Sequence, residues 1–159
     1  VWVSDITYIA LPNGRWAYLA AWMDRWSRLV VGWHLDDTLA DSLVITAFRR
    51  AALSRHPLPG LIVHSDRGGQ YGSKELRRLL DRYQCRQSMS RADDPYDKAF
   101  AESYWSRLKA ELIEGGAFLN LADARLEIGE YIDNYYNTFR LHSALGYLSP
   151  AQFEAQTKG

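Results

Sequence analysis

The sequence has one cysteine, no net charge and no long apolar run, and each of these shortages excludes a class of protein. Cys85 alone cannot form an internal disulfide, and with only four histidines it cannot complete a structural zinc site of the usual spacing. The longest apolar runs, such as residues 61–63, are far shorter than the roughly 20 residues that cross a bilayer. No secretory signal opens the sequence. We therefore expect a soluble, cytoplasmic protein with no membrane span and no structural zinc.

The charges balance, with 19 lysines and arginines against 19 acidic residues, so the sequence does not indicate a protein that binds polyanions through net charge alone. Their distribution along the chain is uneven. Between Arg77 and Arg91 there are five arginines and one acid, Asp81. This stretch fits a solvated helix face and a track for phosphate groups equally well.

The sequence contains enough apolar residues for one domain with a substantial core. Of its 159 residues, 47% are hydrophobic, and they include ten tyrosines and six tryptophans. A domain of this size buries roughly 70% of the surface that its unfolded chain exposes. Because the sequence starts with strand-forming residues and has no initiator methionine, we expect it to be a fragment of a longer protein.

Three strand patterns open the sequence. Residues 1–10 are rich in β-branched and aromatic side chains and place Asp5 on one face with apolar residues. A Pro-Asn-Gly turn at 12–14 predicts a hairpin to a second strand over 15–24, and residues 28–35 predict a third. The expected arrangement is an antiparallel three-stranded meander.

The rest of the sequence alternates helical patterns with two short strands. The predicted helices cover residues 40–55, 73–84, 96–114 and 121–140, and the predicted strands cover 61–64 and 86–88. Ser73 is a favourable N-cap for the second helix. This order of elements predicts an α/β fold in which parallel strands extend the meander into a mixed five-stranded sheet flanked by helices.

Three acidic residues stand out by their positions. Asp5 lies within the first strand, Asp66 follows the fourth, and Glu102 lies in the first turns of the third helix. The first and fourth strands can be neighbours in such a sheet, and a helix that crosses the sheet edge can bring Glu102 to the two aspartates. Three adjacent carboxylates repel one another unless a cation lies among them. Mg²⁺ or Mn²⁺ suits this position, because hard cations prefer oxygen ligands.

Each acid also has an ordinary structural explanation. An aspartate in a strand is usually at a surface or edge, one before a glycine-rich stretch is usually part of a turn, and a glutamate early in a helix usually interacts with the helix dipole. Asp24 is a fourth candidate, but it lies where a strand ends in a turn, and we expect it to be structural. Spacing alone therefore leaves the metal site open.

Four segments of the sequence resemble the motifs of one family. They are DITYI with YLAAWMDRWSRLVVGWHL near the start, HSDRGGQYGS at 64–73, SMSRADDPYDKAFAESYWSRLKAE at 88–111 and YYNTFRLHSALGYLSPAQF at 135–153. In this order, and with 35 residues between Asp66 and Glu102, they are similar to the bacterial insertion-sequence transposases. The catalytic core of that family is a retroviral-integrase-like, ribonuclease-H-like domain with an Asp-Asp-Glu triad. The resemblance covers nearly the whole chain.

The resemblance implies an activity, a cofactor and partners. By similarity, Asp5, Asp66 and Glu102 are the catalytic triad and bind two Mg²⁺ ions, for which Mn²⁺ can substitute. The implied reaction is metal-dependent phosphodiester hydrolysis followed by strand transfer. The implied partners are double-stranded DNA, at the element ends and at the target, and further copies of the protein assembled on DNA in the bacterial cytoplasm, on the nucleoid.

The resemblance also implies a domain organisation. Residues 1–159 would form an integrase-like catalytic core, with a C-terminal helical part at about 117–159. Recognition of the element ends would belong to a region upstream of Val1.

Several DNA contacts follow from the same resemblance. Lys109, seven positions after Glu102, returns to the same face of the helix and would touch a phosphate beside the metals. The other predicted DNA-binding residues are Arg67, Gln70, Arg91, Lys98, Arg140 and His142. For Arg140 and His142, the resemblance supports two roles equally: docking of the C-terminal helix onto the core, and contact with DNA.

Three further residues of the second-aspartate motif have expected roles. Gly68 and Gly69 would let a turn or a DNA backbone approach closely. For His64 we expect packing or hydrogen bonding rather than metal ligation.

Two residues depart from the family pattern and keep alternatives open. Asp93 replaces a common glycine, and Lys98 replaces a common asparagine, although neither change removes a metal ligand. The alternatives are a ribonuclease-H-like nuclease that cuts without strand transfer and a catalytically inactive DNA-binding or assembly domain of the same fold. An intact triad argues against the inactive domain, because three carboxylates are costly to hold together without a cation.

Overall fold

The computed structural model of the protein describes residues 1–89, 105–106, 108–112 and 117–157. Its strands are β1 Trp2–Ala10, β2 Trp16–Asp24, β3 Val30–Asp36, β4 Ile62–Ser65 and β5 Arg86–Met89. Its helices are α1 Asp41–Arg55, α2 Lys74–Arg82, α3 with described residues 105–106 and 108–112, α4 Leu121–Gly129 and α5 Pro150–Thr157.

The five strands form one mixed sheet with the order β3-β2-β1-β4-β5. The first three strands pair antiparallel, whereas β1 with β4 and β4 with β5 pair parallel. The predicted meander extended by parallel strands is confirmed. The connection through α1 carries the chain from one edge of the sheet to the far side of β1.

Both faces of the sheet are buried, and the alternation of side chains along a strand decides which layer each one meets. Helices α1 and α2 pack on one face, where Trp2 and Trp22 are buried. Helices α3 and α4 pack on the other face, against Ile9 and Leu19. Asp5 has the parity of Ile9 on β1 and therefore faces the α3 layer.

The helices form where the apolar spacing predicts them. Leu43, Ala47 and Ala51, spaced by four on α1, are each at most 1% exposed. At the start of α2 the Ser73 Oγ accepts a hydrogen bond from the Leu76 backbone N–H at 3.1 Å, as expected for an N-cap. Local sequence is therefore sufficient to define both helices.

Strand β3 lies at the edge of the sheet, and side chains cover its outer backbone groups. Asn137 bonds both the N–H of Val30, at 2.8 Å, and its carbonyl, at 3.0 Å. Arg50 and Arg125 donate to the carbonyls of Trp33 and Leu35 at 3.1 and 3.0 Å. Because an uncovered edge invites pairing with another strand, these side chains protect the sheet.

The C-terminal helix differs from its prediction over 121–140. Helix α4 continues directly into a π-helical segment, Glu130–Tyr136, and the helical conformation stops there. The earlier end has a tertiary cause: the Asn137 side chain is bound to β3, and the side chain of Arg140 is bound to α3. Hydrophobic periodicity cannot register either contact.

Helix α5 is absent from the sequence prediction and is held by a buried acid. Glu154 is 6% exposed. Its side chain accepts a hydrogen bond from the Ser27 hydroxyl at 2.6 Å and forms an ion pair with the Arg55 guanidinium, also at 2.6 Å. These two partners lie between β2 and β3 and at the end of α1. The contact therefore ties the end of the chain to the sheet and to the first helix.

Asp24 has the structural role expected of it. Its Oδ1 accepts hydrogen bonds from the backbone N–H groups of Trp26 and Ser27, at 2.8 and 3.4 Å, in the turn after β2.

In the described ranges, no helix combines the length and the apolar character needed to cross a bilayer.

The close contact of Gly32 with α1 gives a stability prediction. A Cβ on this residue would lie 2.5 Å from the Ala47 carbonyl oxygen and 2.7 Å from the Ala51 Cβ, so Gly32→Ala forces backbone apart. We expect a loss of about 3 kcal/mol of unfolding free energy in urea denaturation. Gly69→Ala is the control, because a Cβ there meets nothing within 4 Å, and its effect should stay within about 0.5 kcal/mol. Equal stability of the two variants would contradict this packing.

Candidate active site

Parallel pairing of β1 with β4 brings two of the predicted acids to the same level of the sheet. Trp2 pairs with Val63 and Val3 with His64, an offset of 61 residues. The same offset carries Asp5 to Asp66, the residue that follows β4. Residues 5 and 66 are therefore neighbours at the carboxyl-terminal end of the β1–β4 pair.

A lysine from α3 reaches the first of these acids. The Lys109 Nζ lies 2.5 Å from the Asp5 Oδ2, and both side chains are partly exposed, at 35% and 23%. The Asp5 carboxylate thus already accepts a cation at this position. This contact also joins α3 to the middle of β1.

The turn after β4 is shaped around the carboxylate of Asp66. The Asp66 Oδ1 accepts a hydrogen bond from the Gly68 N–H at 2.7 Å. A Cβ on Gly68 would lie 2.9 Å from that oxygen and 3.3 Å from the Gln70 Oε1. Gly68 is therefore needed for the approach of its own chain to the carboxylate, whereas Gly69 meets no such constraint.

Tyr71 ties this turn to β1. The Ser4 Oγ donates its only proton to the Ala21 carbonyl at 2.9 Å, so the Tyr71 hydroxyl must be the donor in its 2.8 Å bond to Ser4. The carbonyl of Tyr71 accepts from the Gln87 side chain on β5 at 2.7 Å. The tyrosine therefore joins the turn to the strands on both sides of β4.

The phenol of Tyr71 also lies within the field of the two acids. It is 1% exposed, and burial raises its pKa well above the usual value. The bond to Ser4 acts in the opposite direction, and the charges of Asp5 and Asp66 add to the increase. The tyrosine is thus a neutral hydrogen-bond donor beneath the carboxylates.

A group of side-chain hydrogen bonds joins α3 to the C-terminal part of the chain. Glu111, two residues after Lys109, accepts a hydrogen bond from the Tyr131 hydroxyl and another from the Arg140 Nε, the latter at 2.7 Å. Arg140 also donates to the Leu141 carbonyl at 3.1 Å. We call Glu111, Tyr131 and Arg140 the Glu111 cluster. It connects the C-terminal motif to the helix that carries Lys109.

Several predicted site residues lie outside the described part of the chain. They are Glu102, Arg91 and Lys98, together with the departure at Asp93. Within the described part, no group of three histidine, cysteine, aspartate or glutamate side chains is placed to hold a metal. The two aspartates are the part of the proposed triad that the structure describes.

The oxygen ligands that are described fit a hard divalent cation. Asp5 and Asp66 supply carboxylates at one level of the sheet, and the ammonium group of Lys109 already pairs with one of them. Carboxylate oxygens are the ligands that Mg²⁺ and Mn²⁺ prefer. The arrangement is therefore chemically compatible with the predicted metal.

The remaining predicted residues of the second-aspartate motif surround this point. His64 has the expected hydrogen-bonding role, since its Nδ1 lies 2.9 Å from the Ser88 hydroxyl on β5. Arg67 is exposed beside Asp66, and Gln70 is half-buried near Gly68. Their predicted contact with DNA stays a prediction.

For the C-terminal motif, the structure gives docking contacts. Arg140 is 9% exposed and bonds Glu111, and His142 is 8% exposed with its ring 5.2 Å from that of Tyr136. The His142 backbone also bridges to Leu148. Both residues therefore support the fold around α3, and their contact with DNA stays a prediction.

Family comparison agrees with this geometry. Residues 1–95 match a family model described as an integrase core domain, and residues 83–150 match a second model with the same description. The chain belongs to the integrase core domain family.

Relatives of the chain include insertion-sequence transposases. The chain is 46% identical over 154 residues to the transposase for insertion sequence element IS904 of Lactococcus lactis subsp. lactis (strain IL1403). It is 41% identical over 155 residues to transposase InsF for insertion sequence IS3fB of Escherichia coli (strain K12). These alignments cover 97% and 98% of this chain but 60% and 54% of the relatives' lengths. The resemblance read from the motifs is confirmed.

Solved structures of retroviral integrases share the fold. A chain of the simian T-cell lymphotropic virus intasome in complex with PP2A regulatory subunit B56 gamma superposes with a TM-score of 0.76 at 18% identity, covering 96% of this chain and 52% of that one. The HTLV-2 integrase catalytic core domain in complex with magnesium, in its trimeric form, gives 0.67 at 16% identity, covering 96% and 93%. The predicted ribonuclease-H-like fold is confirmed.

Sequence reasoning missed two sets of supporting residues. Tyr71 stands within the second-aspartate motif, but nothing in the spacing shows that its hydroxyl returns to Ser4. Glu111 and Tyr131 lie on different helices, so no local pattern links them. The signal that pointed toward the Glu111 cluster was the C-terminal motif, because Arg140 was expected either to dock the C-terminal helix onto the core or to bind DNA.

The Glu111 cluster predicts a measurable coupling. Arg140→Gln or Glu111→Gln removes a charge-assisted hydrogen bond between side chains that are 10% and 29% exposed, and each should cost about 1.5–3 kcal/mol in urea denaturation. The double variant should cost less than the sum of the two, because the second change has no partner left to remove. Arg15→Gln is the control and should cost less than about 0.5 kcal/mol, because this arginine is exposed. Strict additivity would show that the two residues do not act together.

Proposed function

We propose that this chain is the catalytic core of a bacterial insertion-sequence transposase that cleaves and joins DNA strands with Mg²⁺. The observation that carries the proposal is the placement of Asp5 and Asp66 at one level of adjacent parallel strands, in a chain of the integrase core domain family. The relatives named transposase support the same reading. The protein would act in the bacterial cytoplasm, at its DNA.

Asp5 and Asp66 would hold the metal, with Glu102 as the third carboxylate. A bound pair of Mg²⁺ ions supplies an activated attacking hydroxyl and stabilises the oxygen that leaves the phosphodiester. The rigid parts around the two aspartates support their role: Tyr71 holds the turn after β4, and paired backbones hold β1. These contacts connect the backbones that carry the two aspartates.

Two displacements at phosphorus would use the same site. In the first, water would attack a phosphate at the element end, and the P–O3′ bond would break to free a 3′-hydroxyl and leave a 5′-phosphate on the flanking strand. In the second, this hydroxyl would attack a phosphate of the target strand, whose own 3′-oxygen would leave as the new P–O bond forms. Lys109 would change partner during this cycle: it pairs with Asp5 in the free protein, and it would contact a DNA phosphate once the Asp5 carboxylate serves as a metal ligand. Two element ends must be held at once, so we propose that the protein works as a homo-oligomer on double-stranded DNA.

Two other functions remain as alternatives with distinct outcomes. A ribonuclease-H-like nuclease would hydrolyse DNA without forming joined products. A catalytically inactive domain of this fold would bind DNA with no metal-dependent cleavage. The Asp5–Asp66 placement favours an enzyme over the inactive domain.

A metal-linked stability measurement tests the carboxylate site. Millimolar Mg²⁺ or Mn²⁺ should raise the thermal midpoint of the protein, because a ligand that binds the folded state stabilises it. Asp66→Asn should abolish the increase, whereas Asp81→Asn, a matched change on α2, should leave it intact. The full-length transposase should cleave and join DNA only with metal and only with Asp66 present. If the full-length wild type neither cuts nor joins DNA with metal, the inactive domain becomes the better assignment.

The Asp5–Lys109 pair predicts that one substitution strengthens the response to metal and weakens DNA joining. Lys109→Gln removes the cation that competes for Asp5, so metal should raise the thermal midpoint at a lower concentration than in the wild type. The same change should reduce DNA joining by the full-length protein, because a phosphate contact is lost. Arg78→Gln, which removes an exposed arginine on α2, is the control for a general charge effect. A parallel fall in metal response and joining would instead indicate that Lys109 only supports the fold.

A further inference from the structure

A chain of hydrogen bonds runs from the carboxylate of Asp66 to the residue before Asp5. The Asp66 Oδ1 accepts a bond from the Gly68 N–H at 2.7 Å, and the Gly68 carbonyl accepts one from the Tyr71 N–H at 3.0 Å. The Tyr71 hydroxyl in turn donates to the Ser4 Oγ at 2.8 Å. These three bonds lead from one proposed metal ligand to the strand residue next to the other.

The last of these bonds, which we call the Tyr71–Ser4 link, is closed to solvent. Tyr71 is 1% exposed and Ser4 is 4% exposed, so bulk water does not compete for either hydroxyl. The Tyr71 ring packs edge to face on Trp22, with the ring centroids 6.1 Å apart. Ser4 is held as well, because its Oγ donates to the Ala21 carbonyl at 2.9 Å. Core packing and the sheet therefore hold both ends of the link.

The Tyr71–Ser4 link lies on the opposite face of the sheet from the Asp5 carboxylate. Ser4 has the parity of Trp2 on β1 and faces the α1 and α2 layer, where Tyr71 is buried, whereas Asp5 has the parity of Ile9. The two hydroxyls are thus separated from the carboxylate by the backbone of β1. Any effect of the link on a metal must act through the backbones that carry the two acids.

We propose that the Tyr71–Ser4 link sets the separation of the Asp5 and Asp66 carboxylates and thereby makes their site selective for Mg²⁺ over Ca²⁺. The inference rests on the proposed function, because it takes the two aspartates as metal ligands. Mg²⁺ requires near-ideal octahedral geometry with oxygens at about 2.0–2.1 Å, whereas Ca²⁺ accepts roughly six to eight oxygens at about 2.3–2.6 Å in flexible arrangements. Carboxylates that are held in place favour the smaller ion, and carboxylates that can move apart lose this preference. Tyr71 is then a positioning residue and does not touch the metal.

The ratio of the two metal affinities separates this role from a general contribution to the fold. A loss of folded protein lowers the binding of both ions in the same proportion and leaves the ratio unchanged. Competition from the Lys109 ammonium at Asp5 also acts on both ions alike. A change in the ratio of Mg²⁺ to Ca²⁺ affinity therefore reports the geometry of the carboxylates.

The test measures both affinities in the full-length transposase without DNA. Free Mn²⁺ is followed by electron paramagnetic resonance while Mg²⁺ or Ca²⁺ is added as a competitor, and the Mn²⁺ binding that Asp66→Asn abolishes is assigned to the site. Tyr71→Phe keeps the ring and removes only the hydroxyl. We expect it to weaken Mg²⁺ binding roughly 10-fold, the lower end of the effect of residues that support metal ligands. Ca²⁺ binding should change by less than about 2-fold, because this ion tolerates a looser site.

Two further variants show whether the hydroxyls act as one unit. Ser4→Ala should reduce the Mg²⁺ preference as Tyr71→Phe does, and the double variant should reduce it no further, because the second change removes a bond that is already lost. Tyr83→Phe is the control and should leave both affinities unchanged. The Tyr83 ring packs on Phe48 in the same core, with the centroids 5.7 Å apart, and its hydroxyl makes no hydrogen bond within the described part of the chain.

Three results would overturn the inference: an unchanged ratio of Mg²⁺ to Ca²⁺ affinity in Tyr71→Phe, an equal change of that ratio in Tyr83→Phe, or no binding of either ion at the site in the wild type. The first two remove only the selectivity role and leave the two aspartates as proposed ligands. The third also counts against the proposed function, and metal-dependent cutting and joining by the wild type, measured in parallel, decides whether that function survives.

Discussion

The parallel pairing of β1 with β4 is the constraint on which the rest of the site depends. Its offset of 61 residues sets Asp5 beside Asp66, although the chain between β1 and β4 forms two other strands and a helix. Neither strand alone fixes the relative position of the two acids, and β4 is short, with only four residues. Hydrogen bonds on both sides of β4 and the buried bond from Tyr71 to Ser4 make the register unique. A shift of one residue would turn one carboxylate to the other face.

A second constraint fixes the helix that faces this pair. Lys109 holds α3 at Asp5, and the Glu111 cluster holds the same helix from the C-terminal motif. Asn137 of that motif also covers the sheet edge at Val30. The C-terminal residues thus support the site from outside it: they bind the sheet and α3 together and leave the carboxylates open. A helix held from two sides keeps a charged side chain in place at little further cost in conformational entropy.

The elements with strong local signals were predicted from the sequence. Alternation in β1 and the Pro-Asn-Gly turn after it predicted the hairpin that opens the meander, and residues spaced by four on α1 predicted its buried face. The acids were singled out by their positions, with Asp5 within the first strand, Asp66 just after the fourth and Glu102 early in a helix, and the motifs then indicated the family. Helix α5 and the early end of the α4 segment were missed, because each depends on one distant contact: Glu154 with Ser27 and Arg55, and Asn137 with Val30.

The sequence by itself therefore determined the strands, the first two helices, the identity of the acids and the family. Those features depend on neighbours within a few residues, or on motifs in a fixed order, and both can be read along the chain. Tertiary structure alone decided that Lys109 pairs with Asp5 and that Arg140 docks on Glu111. These contacts join residues whose separation in sequence carries no information about their separation in space. Their geometry follows from strand register and from the packing of helices on the sheet.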